Sequence, residues 1–375
     1  MKLNYTATCL FGLEGFLGEE IEALGCKRTD NMDGRITFEG DENTAAEASV
    51  NLRYAERLYL NLGSFEALTF TELFDGAKSI PWEDVIGRDD EFPVSGHSIK
   101  SKLFSVPDCQ RIIKKAVSVR LGEKYGLERL PETGKRYRIE FFLFKDKVSM
   151  MIDLSGIPLH KRGYRPETVE APIRETLAAA MVKISRPRED VLLWDPFCGS
   201  GTIAIEAAMQ MRNIAPGINR SFSAEEYPIF PKESWKNARE KAKAAIKTDS
   251  KFEAYATDID PKCVEIASAA AKRAGVDDML NIFTMDALDI DTLGRRGTIV
   301  TNPPYGDRLL TVDEANDLYR AMGQAFSRLD RWQIYVITQS EEFPKLYGRR
   351  ADKIRKLYNG MIPCYYYQFF KQQNK

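Results

Sequence analysis

The spacing of apolar positions changes twice along this chain and divides it into three stretches. Over the first 65 residues the blocks are short. Residues 5–9 are strand-like, and 15–25 read as an amphipathic helix stopped by Gly25. Residues 35–40 alternate as a strand does, and 44–52 read as helix. The second stretch begins with a helix over 68–77 and a strand over 98–101. A helix over 107–121 follows, with Arg111, Lys114, Lys115 and Arg120 spaced to share a face. Two apolar runs, 137–144 and 148–153, flank a Lys145-Asp146 turn and predict a hairpin. Ser155-Gly156-Ile157-Pro158 then breaks the pattern, and a basic joint follows, Leu159-His160-Lys161-Arg162-Gly163-Tyr164-Arg165-Pro166.

From about Pro172 the style changes to strand-helix alternation, which means a parallel sheet. Helices are predicted over 173–184, 202–211, 261–274 and 313–329. Strands are predicted over 191–194, 254–257, 281–283, 298–301 and 333–338. An unusual insert, 212–250, carries Pro216, Phe222, Phe230 and Trp235 and ends in a charged helix. At the end, 354–358 and 364–370 flank Asn359-Gly360, the signal of an antiparallel hairpin. No internal repeat of fixed period occurs. The expected division is 1–65, 66–155, a linker 156–171, and 172–375.

Composition narrows the class. The chain is 43% hydrophobic, enough for sizeable cores. It has no run of about 18 apolar residues, so no membrane-spanning helix is expected. The start, Met1-Lys2-Leu3-Asn4-Tyr5, lacks the apolar core of a signal peptide. The six cysteines are scattered without a C-x-x-C pair, which suits a reducing cytoplasm and neither a disulfide frame nor a zinc site. With only two histidines, His97 and His160, a metal centre or a Ser-His-Asp triad is not expected. A monomer is assumed.

The net charge of −1 conceals an asymmetry. Residues 1–99 carry 8 Lys/Arg and 19 Asp/Glu, net −11. Residues 100–174 carry 17 and 9, net +8, and 175–375 carry 29 and 27, net +2. The basic middle is a candidate polyanion surface, or an ordinary solvated face.

Four strand ends carry the candidate chemistry. The run 298–301 ends at Asn302-Pro303-Pro304-Tyr305. Proline biases the preceding residue toward extended geometry, so Asn302 is held where open α/β sheets keep their sites. Its side-chain oxygen and a proline-region carbonyl can accept hydrogen bonds from one amino group, and a tyrosine there can stack on a planar ring. Asp195-Pro196-Phe197-Cys198-Gly199-Ser200-Gly201-Thr202 joins a strand to a helix. Its glycines admit a ligand to the backbone, and the helix amino terminus favours an anion. It is neither a P-loop nor G-x-G-x-x-G. Asp258 ends the next strand and can take both hydroxyls of a ribose, with Ile259 covering an adenine face. Asp286 ends the strand after that and can bind an adenine amine. Each feature alone also fits a plain turn. Three acids and an asparagine at the ends of four strands point to one site.

These motifs, in this order, resemble the Rossmann-like S-adenosylmethionine-dependent methyltransferases that act on amino groups, over about 172–375. The whole chain resembles THUMP-containing RNA guanine-N(2) methyltransferases, closest to the short form of the large-subunit (23S) ribosomal RNA enzymes. The joint 159–165, the phrase Arg174-Glu175-Thr176-Leu177-Ala178-Ala179-Ala180 and Asn302 to Leu309 carry that match. The resemblance implies an α/β fold: a Rossmann-like parallel sheet with a C-terminal antiparallel hairpin, preceded by ferredoxin-like (1–65) and THUMP-like (66–155) units. It implies S-adenosylmethionine as cofactor, held by Asp195, Phe197, Gly199, Gly201, Thr202, Asp258, Ile259, Asp286, Ala287 and Asn302. Asn302 and the Pro303 carbonyl would align a guanine 2-amino group, and Tyr305 would stack on the base. RNA, most of all ribosomal RNA, would meet Lys114, Lys115, Lys161, Arg162, Arg165 and Arg308. Arg165 and Arg308 could equally pair with local acids. Transfer RNA is the alternative substrate, and the Asn-Pro-Pro-Tyr motif equally admits adenine-N(6) methylation of DNA. A non-catalytic RNA-binding assembly protein is the reading from another class, and the intact acid set argues against it.

Overall fold

The structure is a computed structural model that describes residues 2–165, 173–292, 294–305 and 311–370. It contains two seven-stranded sheets.

The first sheet runs through both amino-terminal units. Its strands are β1 (Leu3–Cys9), β2 (Lys27–Met32), β3 (Arg35–Gly40), β4 (Ala55–Glu66), β5 (Val94–Ile99), β6 (Ile139–Phe144) and β7 (Lys147–Asp153), in the order β2-β3-β1-β4-β7-β6-β5. The 12-residue β4 makes the continuity. It pairs with β1 up to Asn61 and with β7 from Tyr59 to Glu66. A bulge at Gly63, whose φ is 154°, lets one strand serve two units. Helices α1 (Glu14–Ala23), α2 (Thr44–Asn51), α3 (Phe70–Ser79) and α4 (Val106–Tyr125) complete this half. The periodicity did not announce β2 or β4. β2, Lys-Arg-Thr-Asp-Asn-Met, is an edge strand with no buried residue, so it carries no apolar stripe to read. β5 begins at Val94, earlier than expected, because Gly96 lies flat on β6: a Cβ there would meet Phe141 O at 2.3 Å.

The second half agrees closely with the expected alternation. It comprises α5 (Glu175–Ser185), β8 (Leu192–Asp195), α6 (Thr202–Met211), α7 (Lys232–Ala244), β9 (Ala254–Asp258), α8 (Pro261–Ala274), β10 (Leu280–Thr284), β11 (Gly297–Thr301), α9 (Val312–Phe326), β12 (Gln333–Thr338), α10 (Phe343–Leu346), β13 (Lys353–Asn359) and β14 (Ile362–Phe369). The order is β10-β9-β8-β11-β12-β14-β13. The five strands from β10 to β12 are parallel, and the β13–β14 hairpin turns antiparallel at the other edge. From β8 the chain winds outward to β9 and β10, then returns to β11 on the other side of β8. That reversal opens a crevice beyond the carboxyl ends of β8 and β11, where such sheets bind ligands. Every residue of β8 and β11 is buried, so these two ends are the rigid walls of the crevice.

The insert 212–250 is a strut between the halves. Gly217 N donates to Val50 O at 2.9 Å, an approach that a Cβ would block, since it would sit 2.5 Å from Ser49 O. Ser234 reaches Asn43 at 2.6 Å and Lys241 pairs with Glu47, which lays α7 against α2. The Tyr227 ring stacks on Tyr137 with centroids 4.2 Å apart, and its hydroxyl donates to Asp153 O.

Candidate active site

The turn after β8 is built around two glycines in left-handed geometry, Gly199 (φ 51°) and Gly201 (φ 77°). Only glycine adopts that shape without strain. At Gly201 an added Cβ would also meet Ala267 Cβ of α8 at 3.0 Å. The turn is pinned from below: Cys198 N donates to Thr257 O of β9 at 2.9 Å, and Gly201 N to Cys198 O at 2.8 Å. It delivers the chain into α6 at Thr202, where the first-turn N–H groups of that helix face the crevice end of the sheet.

Asp195 ends β8 and is 1% exposed. Its Oδ1 accepts from Thr301 Oγ1 at 2.7 Å and from Phe197 N at 3.3 Å. Burial pushes its carboxyl up to about 7, against the pull of those two donors; nearby Asp258 adds to the rise. Asp258 ends β9. Its Oδ2 accepts from Gly199 N at 2.9 Å and its Oδ1 from Asp260 N at 3.1 Å. One carboxylate therefore ties the glycine turn to the start of the following loop and remains half-exposed toward the crevice. Beside it Ile259 is 69% exposed, a large apolar side chain in solvent at the mouth of a polar site. Asp286 caps the short turn Ala287–Asp289, its Oδ1 accepting from Leu288 N at 2.9 Å, and Ala287 is buried behind it.

Across the crevice, Asn302 and Tyr305 are half-buried and Pro303 is buried. Tyr305 packs on the same apolar cluster as Phe197, Met285 and Leu288. The Pro304 carbonyl accepts from Tyr319 OH of α9 at 3.5 Å, and that hydroxyl lies 2.9 Å from Thr338 Oγ1 at the end of β12. The sheet therefore places Asp195, Asp258, the Asp286 loop and Asn302 at the carboxyl ends of adjacent strands, as the sequence predicts. The roles of Thr301 and Tyr319 had no signal in the sequence, since each acts only through a contact between strands or helices.

The donor set fits S-adenosylmethionine. Asp258 offers an acceptor pair for ribose hydroxyls, Ile259 an apolar face for a purine, and the start of α6 a positive end for a carboxylate.

The basic residues separate into two groups. Lys115 and Lys161 are exposed. Lys114 is half-buried, pairing with Glu132 and lying 3.6 Å from the Phe92 ring centroid. With Arg111 it lines a cavity of about 490 Å³. Arg111 pairs with Asp108 and Arg120 with Glu83, so Arg111, Lys114, Lys115 and Arg120 do not form one open stripe along α4. Arg162 differs from the expectation outright, and Arg165 follows its other reading, pairing with a local acid: both point inward. The Arg162 side chain is 1% exposed, bonds Leu159 O and Arg53 O, and lies 3.5 Å from Glu206. Arg165, with its side chain 8% exposed, pairs with Glu175 at 3.0 Å. A buried guanidinium spent on a buried carboxylate presents no charge to a polyanion. Arg308 lies outside the described residues.

Comparison with known proteins agrees with this geometry. Residues 162–368 match the family described as RMKL-like, methyltransferase domain. Residues 4–59 match the RlmL ferredoxin-like domain, and 67–153 the THUMP domain. YpsC of Bacillus subtilis (strain 168), provisionally named an RNA methyltransferase, is 44% identical over 99% of this chain and 97% of its own. Ribosomal RNA large subunit methyltransferase K/L of Psychromonas ingrahamii is 33% identical over 96% of this chain, which spans 49% of that longer protein. The crystal structure of SMU.472, described as a methyltransferase complexed with SAH, is 39% identical over 100% of this chain and 99% of its own, with a TM-score of 0.92. With the parallel sheet, its glycine turn and its strand-end acids in place, the chain belongs to the RMKL-like methyltransferases, carrying ferredoxin-like and THUMP domains ahead of the methyltransferase domain.

Proposed function

We propose that this protein methylates the exocyclic 2-amino group of a guanine in RNA, with large-subunit (23S) ribosomal RNA as its substrate. The observation that carries the reading is the placement of Asp195, Asp258, Asp286 and Asn302 at the carboxyl ends of four neighbouring strands flanking the switch point. The match to YpsC over nearly the whole of both chains, and to half the length of a methyltransferase named for ribosomal RNA, supports it.

Bound S-adenosylmethionine supplies an electrophilic methyl group on sulfur. Asp258 holds the ribose, Ile259 and Ala287 flank the adenine, and Asp286 takes its amine. Phe197, Gly199, Gly201, Thr202 and Asp195 would hold the amino-acid end. Asn302 Oδ1 and the Pro303 carbonyl accept the two hydrogens of the target amine. That aligns the nitrogen, whose lone pair is delocalised into the ring, for in-line attack. Positioning of this kind is worth several kcal/mol, on the order of 7–11 at its best. Tyr305 stacks on the base, which must first leave its helix at a cost of roughly a few kcal/mol. No strong base is needed before attack, because the amine becomes acidic as it is methylated.

Residues 66–165 act as the RNA-recruiting module, and 156–171 link the amino-terminal units to the catalytic unit 172–375. Lys114, Lys115, Lys161 and Arg308 are the proposed RNA contacts. The test is direct: incubate the enzyme with labelled cofactor and separate pools of ribosomal RNA, transfer RNA and duplex DNA, then identify the methylated nucleoside. N(2)-methylguanine in ribosomal RNA is expected. N(6)-methyladenine as the main product overturns the base, and N(2)-methylguanine confined to transfer RNA overturns the substrate.

A further inference from the structure

Both arginines of the basic joint ahead of the catalytic unit turn inside the protein, and their contacts lead to the glycine turn. The Arg165 guanidinium donates from Nη1 to Thr202 Oγ1 at 2.8 Å, to Ser200 Oγ at 3.3 Å and to Ile173 O at 3.2 Å. From Nη2 it reaches Glu175 Oε1 at 3.0 Å. Ser200 and Thr202 are 3% and 2% exposed and lie on either side of Gly201. Neither hydroxyl has a rigid partner of its own on the turn: they lie 3.2 Å from each other. Glu175, the partner carboxylate, is the first residue of α5, and the Arg165 side chain lowers a carboxyl that burial otherwise raises.

One turn of α6 further on, the joint is anchored again. Glu206 accepts from Tyr164 OH at 3.1 Å and pairs with Arg53 of the amino-terminal unit at 3.2 Å and with Arg162 at 3.5 Å. The helix that begins at the glycine turn is therefore held along one flank by three inward-facing side chains of the joint, Arg162, Tyr164 and Arg165.

From this geometry we infer that Arg165 is a positioning residue for cofactor binding: it fixes the Ser200-Gly201-Thr202 turn in its cofactor-receiving shape. A planar guanidinium can bond four acceptors on two segments at once, which an ammonium cannot. The inference rests on the glycine turn being the cofactor site. It assigns Arg165 to the cofactor side of the protein and removes it from the RNA surface.

The test compares Arg165→Lys with wild type, using the full chain. S-adenosylmethionine affinity is read by isothermal titration, turnover at saturating cofactor by single-turnover methylation, RNA affinity by titration at several salt concentrations, and folding by thermal melting. The expected result is a cofactor Kd raised roughly tenfold or more. Turnover at saturating cofactor, RNA affinity and its salt slope stay near wild type. Glu175→Gln removes the buried charge that orients Arg165 without touching the turn. It should raise the cofactor Kd in the same direction and serves in place of Arg165→Lys if that variant melts early. Unchanged cofactor affinity in folded Arg165→Lys and Glu175→Gln, with weakened RNA binding and a flatter salt slope, overturns the inference in favour of an RNA contact. A lower melting temperature with unchanged cofactor KM and reduced active fraction overturns it in favour of general structural support. Asp258→Ala is the control: if it too leaves cofactor binding unchanged, the fault lies with the cofactor site itself.

Discussion

Thr301 donates its hydroxyl to Asp195 Oδ1 over 2.7 Å, a bond that closes the floor of the crevice between the ends of β8 and β11. Both residues are essentially buried, so the bond is shielded from water. It is also one of only two donors that favour the charged form of a carboxyl held near 7 by burial. Because the native carboxyl sits above its ordinary value, the native state holds the Asp195 proton more tightly than the unfolded chain does. Its contribution to stability is complete below about pH 4 and is lost as pH rises through about 7. Denaturant unfolding should therefore show Asp195→Asn gaining stability relative to wild type between pH 5 and pH 8. A shift of one unit corresponds to about 1.4 kcal/mol, and at least that much is expected. Thr301→Val should destabilise by about 1–3 kcal/mol at pH 8.

Asp258 bridges Gly199 N and Asp260 N, so its removal costs the turn two bonds as well as the proposed ribose acceptor. Bonds to a charged group are worth about 1.5–3 kcal/mol each. Asp258→Ala should weaken S-adenosylmethionine binding by roughly ten- to a hundredfold in isothermal titration. Unchanged affinity in a folded variant would remove Asp258 from the cofactor site.

Asn302 stands across the crevice from the acids, at the end of β11. Asn302→Ala should lower single-turnover methylation by roughly a hundredfold or more, as expected for lost alignment, while cofactor affinity barely moves. Collapse of cofactor binding with a surviving single-turnover rate would reverse the assignment.

Lys115 is exposed on α4, whereas Lys114 is engaged with Glu132 and Phe92. Lys115→Glu should weaken RNA binding and flatten its salt dependence, since each phosphate contact contributes about 0.7–0.9 to the slope. Reversing Lys114 as well should deepen the loss and also lower the melting temperature. An RNA affinity and salt slope equal to wild type in the double variant would take α4 off the RNA surface.

Arg162 offers the contrast. Its loss leaves Glu206, fully buried, with fewer cations. Arg162→Ala should cost about 3–5 kcal/mol in equilibrium unfolding. The salt slope of RNA binding measured on the folded fraction should not change.

Local patterning carries the second half of this chain. A buried parallel strand is a short apolar run, and Asp195, Asp258 and Asn302 follow such runs directly; hence the sheet, its helices apart from the one-turn α10, the Asn359-Gly360 hairpin and the strand-end acids were legible from residue order. Proline and glycine act on their own backbone, so Asn302-Pro303 and Gly199/Gly201 were legible for the same reason. Tertiary structure alone decided what depends on the partner. β2 reads as polar because it is an edge, and β4 owes its length to two neighbours that lie far apart in sequence, β1 and β7. The insert 212–250 looked foreign to the alternation because it reaches the other half of the molecule, where Tyr227 stacks on Tyr137 and bonds Asp153 O. The joint is the sharpest case. Charge along a chain does not say which way a side chain turns, and Arg162 and Arg165 turn inward because Glu206 and Glu175, each on a helix of the other domain, are buried there to receive them.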